Sequence, residues 1–325
     1  MAKKKARQTE FASIDALIAN VSKDFKGAVD EDVKDEDVEF QTTNIVGLDA
    51  ILGGGRPKGR IIEVLGPESS GKTGMALHMM GVCQRLGGTV ALIDAEFAYD
   101  PKYCKAHHIN IDKLILIHPD CGEDALNIVE RFVESNKVDI VVVDSVSALT
   151  PKAEIQGETG DSHVGLQARM MSQALRKLAG KVYKSKCTVI FINQIRIKIG
   201  VMFGNPETTS GGQALKFYSS IRLDVRRKEW LGGKDNPYGI GQKIKCIKNK
   251  VAPPFRSIML NMYFDKGYSV IEDLWEQCEN FGIIQNRTYE GERITKSIIA
   301  KDKALRKKLK KEVKECYAGQ ERGDE

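Results

Sequence analysis

Eight consecutive residues, Gly66, Pro67, Glu68, Ser69, Ser70, Gly71, Lys72 and Thr73, follow the spacing G-x-x-x-x-G-K-[ST]. That spacing suits phosphate. Its glycines let backbone N–H groups close around phosphate oxygens, and the start of a following helix adds positive potential. The lysine reaches the outer phosphates and the threonine hydroxyl can ligate Mg²⁺. The apolar run Ile61 to Leu65 leads in and Gly74-Met75-Ala76-Leu77 leads out, which is the strand, loop and helix context the motif requires. The expected ligands are ATP and Mg²⁺.

Parallel-sheet nucleotide enzymes place ligands at the carboxyl ends of their strands. The run Ile140 to Val143 ends in Asp144, a carboxylate suited to the Mg²⁺ shell or, less specifically, to capping a helix. Ser145 follows it, where many such enzymes carry a catalytic glutamate, so a base must come from elsewhere. The run Thr89 to Ile93 leads into Asp94-Ala95-Glu96, making Glu96 the candidate to orient and deprotonate water; a surface glutamate is the other reading. The run Thr188 to Ile192 ends in Asn193-Gln194, a neutral amide that is either a γ-phosphate sensor or a loop residue.

Short β-branched runs alternate with helical patterns from Arg60 to about Val225, the mark of a mainly parallel sheet covered on both faces. The fold class is α/β. Upstream, Phe11, Ile14, Leu17, Ile18, Val21 and Phe25 recur at helical spacing, with Ser13 as an early cap. A helix on such an arm must dock on the main core or on another subunit. Asp30 to Glu39 holds seven acids and one lysine, whereas Glu292 to Glu315 holds ten Lys/Arg against four Asp/Glu, the whole net surplus of +6. Charge is therefore patterned in blocks. Within the basic segment 301–314, Leu305, Leu309 and Val313 share one side of a helix. Lys307, Lys308, Lys310 and Lys311 would either meet a DNA duplex or simply be solvated.

Seven cysteines without CxxC pairs read as reduced packing residues of a cytoplasmic protein. The basic start Met1 to Arg7 meets polar Gln8-Thr9-Glu10 where a signal peptide would turn apolar. No apolar run nears the roughly 20 residues of a membrane span, so no membrane partner is expected.

Five segments, GPESSGKT from Gly66, DAEFAYDP from Asp94, Val143 to Leu178, Phe191 to Lys216 and Lys248-Asn249-Lys250, are similar to bacterial RecA recombinases. The chain resembles that family over nearly its whole length. The resemblance implies a RecA-type P-loop ATPase core at 34–268, an N-terminal polymerisation helix and arm at 1–33, and a small α/β C-terminal domain at 269–325. It makes Lys72 and Glu96 catalytic, Gln194 the γ-phosphate sensor, and Asp100, Tyr103 and Tyr263 the adenine pocket. The flanks of Tyr263 match the family poorly.

The resemblance also turns 156–164 and 195–212 into DNA-binding loops. To these it assigns Val164, with Arg169 and Arg176 on the helix that follows, and Arg196, Lys198, Met202, Phe203, Asn205, Ser210, Gly211 and Gly212. Cations suit phosphates, glycines permit close approach, and apolar groups can wedge between bases. Lys248 and Lys250, otherwise an exposed strand pair, resemble lysines reaching a neighbour's γ-phosphate, with Lys216, Phe217 and Arg222 as further interface residues. The implied activity is a DNA-dependent ATPase that forms a head-to-tail filament on single-stranded DNA and exchanges strands with duplex DNA. Filament-loading proteins and a self-cleaving repressor of a damage response are implied partners. A ring-forming DNA motor with the same core is the alternative. Phe97, where relatives usually carry His, Val164, where they carry Met, and a short acidic end after a basic segment depart from the family pattern.

Overall fold

The computed structural model describes residues 13–24, 38–158, 165–197, 204 and 206–323. Residues 1–38 and 39–325 form separate units. In the first, the helix Ile14–Asp24 begins where Ser13 Oγ accepts the Ala16 amide at 3.2 Å. Ile14, Leu17 and Ile18 are exposed. The expected ends of this helix, Phe11 and Phe25, lie outside the described residues.

The second unit is organised by a ten-stranded sheet. Six parallel strands run in the spatial order Ile221–Leu231, Ile61–Gly66, Thr188–Ile197, Ile140–Asp144, Val90–Asp94, Leu114–Ile117. Strands Gly239–Asn249, Ser257–Tyr263 and Gly267–Tyr268 extend it antiparallel beyond Ile221–Leu231. Successive side chains on a strand point to opposite faces, and the sequence makes both faces apolar. Ile62, Val64, Leu92, Val142 and Ile190 pack with Met75, Met79 and Met80 of the helix Lys72–Arg85. Ile61, Ile93, Val141, Val143 and Phe191 pack on the other face with Val129 of Gly122–Ser135 and Leu175 of Leu166–Ser185. Burial on both sides explains why these strands read as continuous hydrophobic runs.

The strand expected to stop at Ile192 continues to Ile197 and pairs antiparallel with Glu207–Thr209. The segment read as a loop from residue 195 therefore starts and ends as a two-stranded ribbon, its β-branched Ile195, Ile197, Thr208 and Thr209 favouring extended backbone. Beyond the sheet, Leu274, Trp275, Cys278, Ile299, Leu309 and Val313 form a third apolar cluster, joined by Val46. The basic segment is divided at Asp302, whose carboxylate caps the helix Lys303–Gly323 through the Ala304 and Leu305 amides at 2.8 and 2.9 Å. Its Leu305, Leu309 and Val313 face inward, as their spacing predicts. All seven cysteines are free thiols. Among the described residues no helix is long and apolar enough to cross a membrane.

Candidate active site

The phosphate loop joins the strand Ile61–Gly66 to the helix Lys72–Arg85. Glycine is required at both ends: a Cβ on Gly66 would stand 2.2 Å from the Val225 carbonyl, and Gly71 caps the helix with φ at +84°. Two residues that belong to no sequence motif brace the loop. Gln242 donates to the Ser70 carbonyl, and Arg227 Nη1 donates to the Ser69 carbonyl at 3.4 Å. Lys72 is buried and donates to the Pro67 carbonyl at 2.6 Å. Burial pushes its pKa down, while Asp144, Glu96 and Glu68 oppose that shift.

Thr73 Oγ1 donates to Asp144 Oδ2 at 2.7 Å. Two oxygen donors side by side fit Mg²⁺, which keeps most of its coordination for water and phosphate oxygens. Among the described residues there is no cluster of three His, Cys, Asp or Glu that would make an all-protein cage. Burial pushes Asp144 up to about 6; the Thr73 hydrogen bond opposes this, and Glu96 and Asp94 add to it.

Glu96 Oε1 accepts from the Ser145 hydroxyl and, at 3.1 Å, from Gln194 Nε2. The Ala95 and Glu96 amides donate to the Asp144 carbonyl at 2.8 and 3.3 Å, fixing where this turn leaves its strand. Buried Asp94 holds the rest of the turn through the Ala98 and Tyr99 amides at 3.3 and 2.9 Å. Phe97 is exposed beside Glu96 and stacks on His118 with ring centres 5.4 Å apart. The three expected positions meet because the strands carrying Asp94, Asp144 and Gln194 are spatial neighbours in that order, although the third runs on past Gln194 to Ile197. They line one cavity of about 380 Å³ with Lys72, Thr73, Asp100 and Tyr103.

Asp100 accepts the Lys102 amide at 2.8 Å, starting the helix Pro101–Ala106 that carries Tyr103. Tyr103 packs edge-on against His107 at 4.7 Å, and burial pushes its phenol up to about 12. Tyr263 does not line this cavity. Its ring stacks on Tyr238 at 6.0 Å, Lys266 lies over it at 4.0 Å, and its hydroxyl bonds both Glu272 oxygens at 2.9 and 2.8 Å.

Arg169 and Arg176 are exposed on the helix Leu166–Ser185, and Arg196 is exposed on the ribbon. The Ser210 carbonyl accepts from Asn193 and the Gly211 amide donates to Gln167 at 3.2 Å, placing Gly211 and Gly212 at the ribbon's exit. Val164, Lys198, Met202, Phe203 and Asn205 lie outside the described residues. Lys248 Nζ donates to the Lys216 and Phe217 carbonyls at 2.6 and 3.0 Å, and Lys250 Nζ to the Phe217 carbonyl at 3.4 Å. Both lysines thus hold the end of the short helix Ala214–Tyr218, beside exposed Phe217. Burial pushes Lys248 down to about 8, aided by Lys250 and Arg222.

The fold and site together define a P-loop ATPase with a RecA-type core. The profile of the RecA N-terminal domain matches residues 12–269. Curated relatives called Protein RecA are 54% identical in Macrococcus caseolyticus, covering 87% of this chain and 82% of that one, and 46% identical in Arthrospira platensis, covering 98% and 91%. The chain belongs to the RecA family of ATP-dependent DNA recombinases. A third relative, from Staphylococcus carnosus, is 58% identical over 79% of this chain and 74% of its own. The solved RadB recombinase shares the fold at 20% identity and TM-score 0.52, covering 69% of this chain and 97% of that one.

Proposed function

We propose that this chain couples ATP hydrolysis to gripping and release of single-stranded DNA, with Gln194 as the coupling residue. The observation that carries this reading is the 3.1 Å contact of Gln194 Nε2 with Glu96, one residue before the ribbon that frames 195–212. Glu96 has the geometry of a general base whose orientation is set by Ser145 and Gln194. Lys72 exchanges the Pro67 carbonyl for outer phosphate oxygens. Thr73 and Asp144 would hold Mg²⁺, which would supply positive charge against the phosphate oxygens. Asp100 and Tyr103 take the adenine side, with Tyr263 assigned there by family resemblance alone. Gln194 feels the outer phosphate and repositions the ribbon, an order and position switch.

On this reading Arg169, Arg176, Arg196, Lys198, Ser210, Gly211 and Gly212 contact DNA backbone, while Val164, Met202, Phe203 and Asn205 contact bases. Lys248 and Lys250 complete the neighbouring subunit's site, a reading that the exposed Phe217 beside them supports. Head-to-tail repetition of such a contact builds a helical filament, with 1–33 as the connecting arm, 34–268 as the motor and 269–325 as the small C-terminal domain. Duplex DNA is gathered at a groove of about 860 Å³ whose lining includes Lys303, Arg306, Lys307 and Lys314. Work in the cytoplasm with filament loaders and a self-cleaving repressor completes the reading. Comparing single-stranded DNA affinity under ATP and ADP in the parent and Gln194→Ala tests it: the ATP advantage disappears in the variant, and a retained advantage refutes the coupling.

A further inference from the structure

Asn193 precedes Gln194 on the same strand, so the two side chains point to opposite sides of it. Gln194 meets Glu96; Asn193 is wholly buried and meets Glu63 and the ribbon. Its Nδ2 spends both hydrogens, on Glu63 Oε1 at 2.9 Å and on the Ser210 carbonyl at 3.1 Å. The other oxygen of buried Glu63 takes Arg222 Nε at 2.5 Å. The amide can sit only this way round, since reversing it would turn Oδ1 toward a carboxylate and a carbonyl with no proton between them.

The acceptor side of this joint is unfinished. Among the described residues, buried Asn193 Oδ1 has no hydrogen-bond partner, and neither have Thr209 Oγ1 and Ser210 Oγ. A buried polar group left unpaired costs about 1–3 kcal/mol, and native structures carry few of them. Three gather where the ribbon's returning strand leaves the sheet. That strand is fastened again at Glu207, which Arg226 grips with two nitrogens at 2.8 and 2.6 Å. The ribbon is thus tied to the strand Ile221–Leu231 by an ion pair, and to the phosphate-loop strand through Asn193 and Glu63.

We infer that Asn193 is a positioning residue that carries nucleotide state from the phosphate-loop strand to the DNA-contacting ribbon, by way of Glu63, its own amide and the Ser210 carbonyl. In the ATP-bound arrangement its idle acceptor accepts a hydrogen bond from a hydroxyl of Thr209 or Ser210. The inference rests on the reading of Gln194 as sensor, because movement of that strand end displaces both neighbours together.

The test uses Asn193→Asp, which keeps shape but removes both donors, and the pair Glu63→Gln with Asn193→Asp, which restores a donor toward residue 193 but leaves Ser210 facing a carboxylate. Readouts are ATP affinity, melting temperature, and the ratio of single-stranded DNA affinity under a non-hydrolysable ATP analogue to that under ADP. The expected result is that Asn193→Asp lowers the ratio about tenfold with ATP affinity retained. The paired variant recovers melting temperature and not the ratio. Recovery of both, or an unchanged ratio in Asn193→Asp, overturns the inference. A parent chain with no ATP advantage in DNA affinity overturns the Gln194 reading itself and this inference with it, so the two failures are distinguishable.

Discussion

Gln194 Nε2 lies 3.1 Å from Glu96 Oε1, so the residue proposed to sense the outer phosphate also holds the residue proposed to activate water. On the proposed reading, sensing and chemistry share one hydrogen bond. Glu96→Gln keeps the size of the side chain and removes its basicity. ATP turnover should fall by about 10²–10⁴-fold while ATP affinity and ATP-dependent DNA binding persist, as read by steady-state kinetics beside DNA-binding titrations. Loss of ATP binding in step with turnover would assign Glu96 a structural role.

The burial of Asp273 beneath the helix Val46–Leu52 makes stability depend on pH, and its hydrogen bond to that helix only partly opposes the effect. Asp273 accepts the Gly47 amide at 3.2 Å, and burial pushes it up to about 7. A carboxyl with a raised folded-state pKa favours the fold fully below its unfolded value near 4 and loses that contribution as pH rises through 7. The parent's stability should therefore fall between about pH 4 and pH 7 from this group, by on the order of 4 kcal/mol at most. Asp273→Asn should flatten that slope, and equal slopes in thermal melts of the two proteins would contradict the assignment.

The basic helix Lys303–Gly323 is less uniform than its sequence. Lys308 pairs with Glu290 at 2.6 Å, Lys311 with Glu315 at 3.6 Å, and Lys310, partly buried, bonds the Asn44 side chain at 2.8 Å. Reversing Lys310 tests folding more than DNA capture. Reversal of exposed Lys303 and Lys307 should weaken duplex binding and reduce its salt slope by about 2, near one for each phosphate deprived of its lysine, with melting temperature retained. Unchanged duplex affinity at low salt would show that duplex DNA does not enter this groove.

Gly66→Ala places a methyl group against the Val225 carbonyl at 2.2 Å. Overpacking of this kind costs about 1–3 kcal/mol and tilts the loop that holds phosphate, so the melting temperature and ATP affinity should fall together. An alanine variant with parental ATP affinity would show the strand end to be more yielding than the geometry implies.

Lys72, Thr73 and Asp144 were legible in the sequence because a phosphate loop is contiguous and a strand-end aspartate follows a clear apolar run. Glu96 was legible as following a strand end and Gln194 from its apolar run, though the strand of the latter continues, but their contact depends on strand order, which the chain's linear pattern does not contain. Gln242 and Arg227 brace the loop from an antiparallel hairpin whose residues form no motif and lie far from the loop in sequence. Ile195 to Ile197 read as loop because glycines follow, yet pairing with Glu207–Thr209 makes them a strand. The strut formed by Lys310 was hidden for a related reason: its partner Asn44 is distant in sequence.

Coupling between the ATP site and the DNA-contacting ribbon is tested most directly by ATP hydrolysis and homologous strand exchange measured with and without single-stranded DNA, alongside Lys72→Ala. Single-stranded DNA should raise parental hydrolysis on the order of tenfold or more, strand exchange should proceed with ATP, and Lys72→Ala should abolish both. Hydrolysis indifferent to DNA, with no strand exchange by the parent chain, would contradict that coupling.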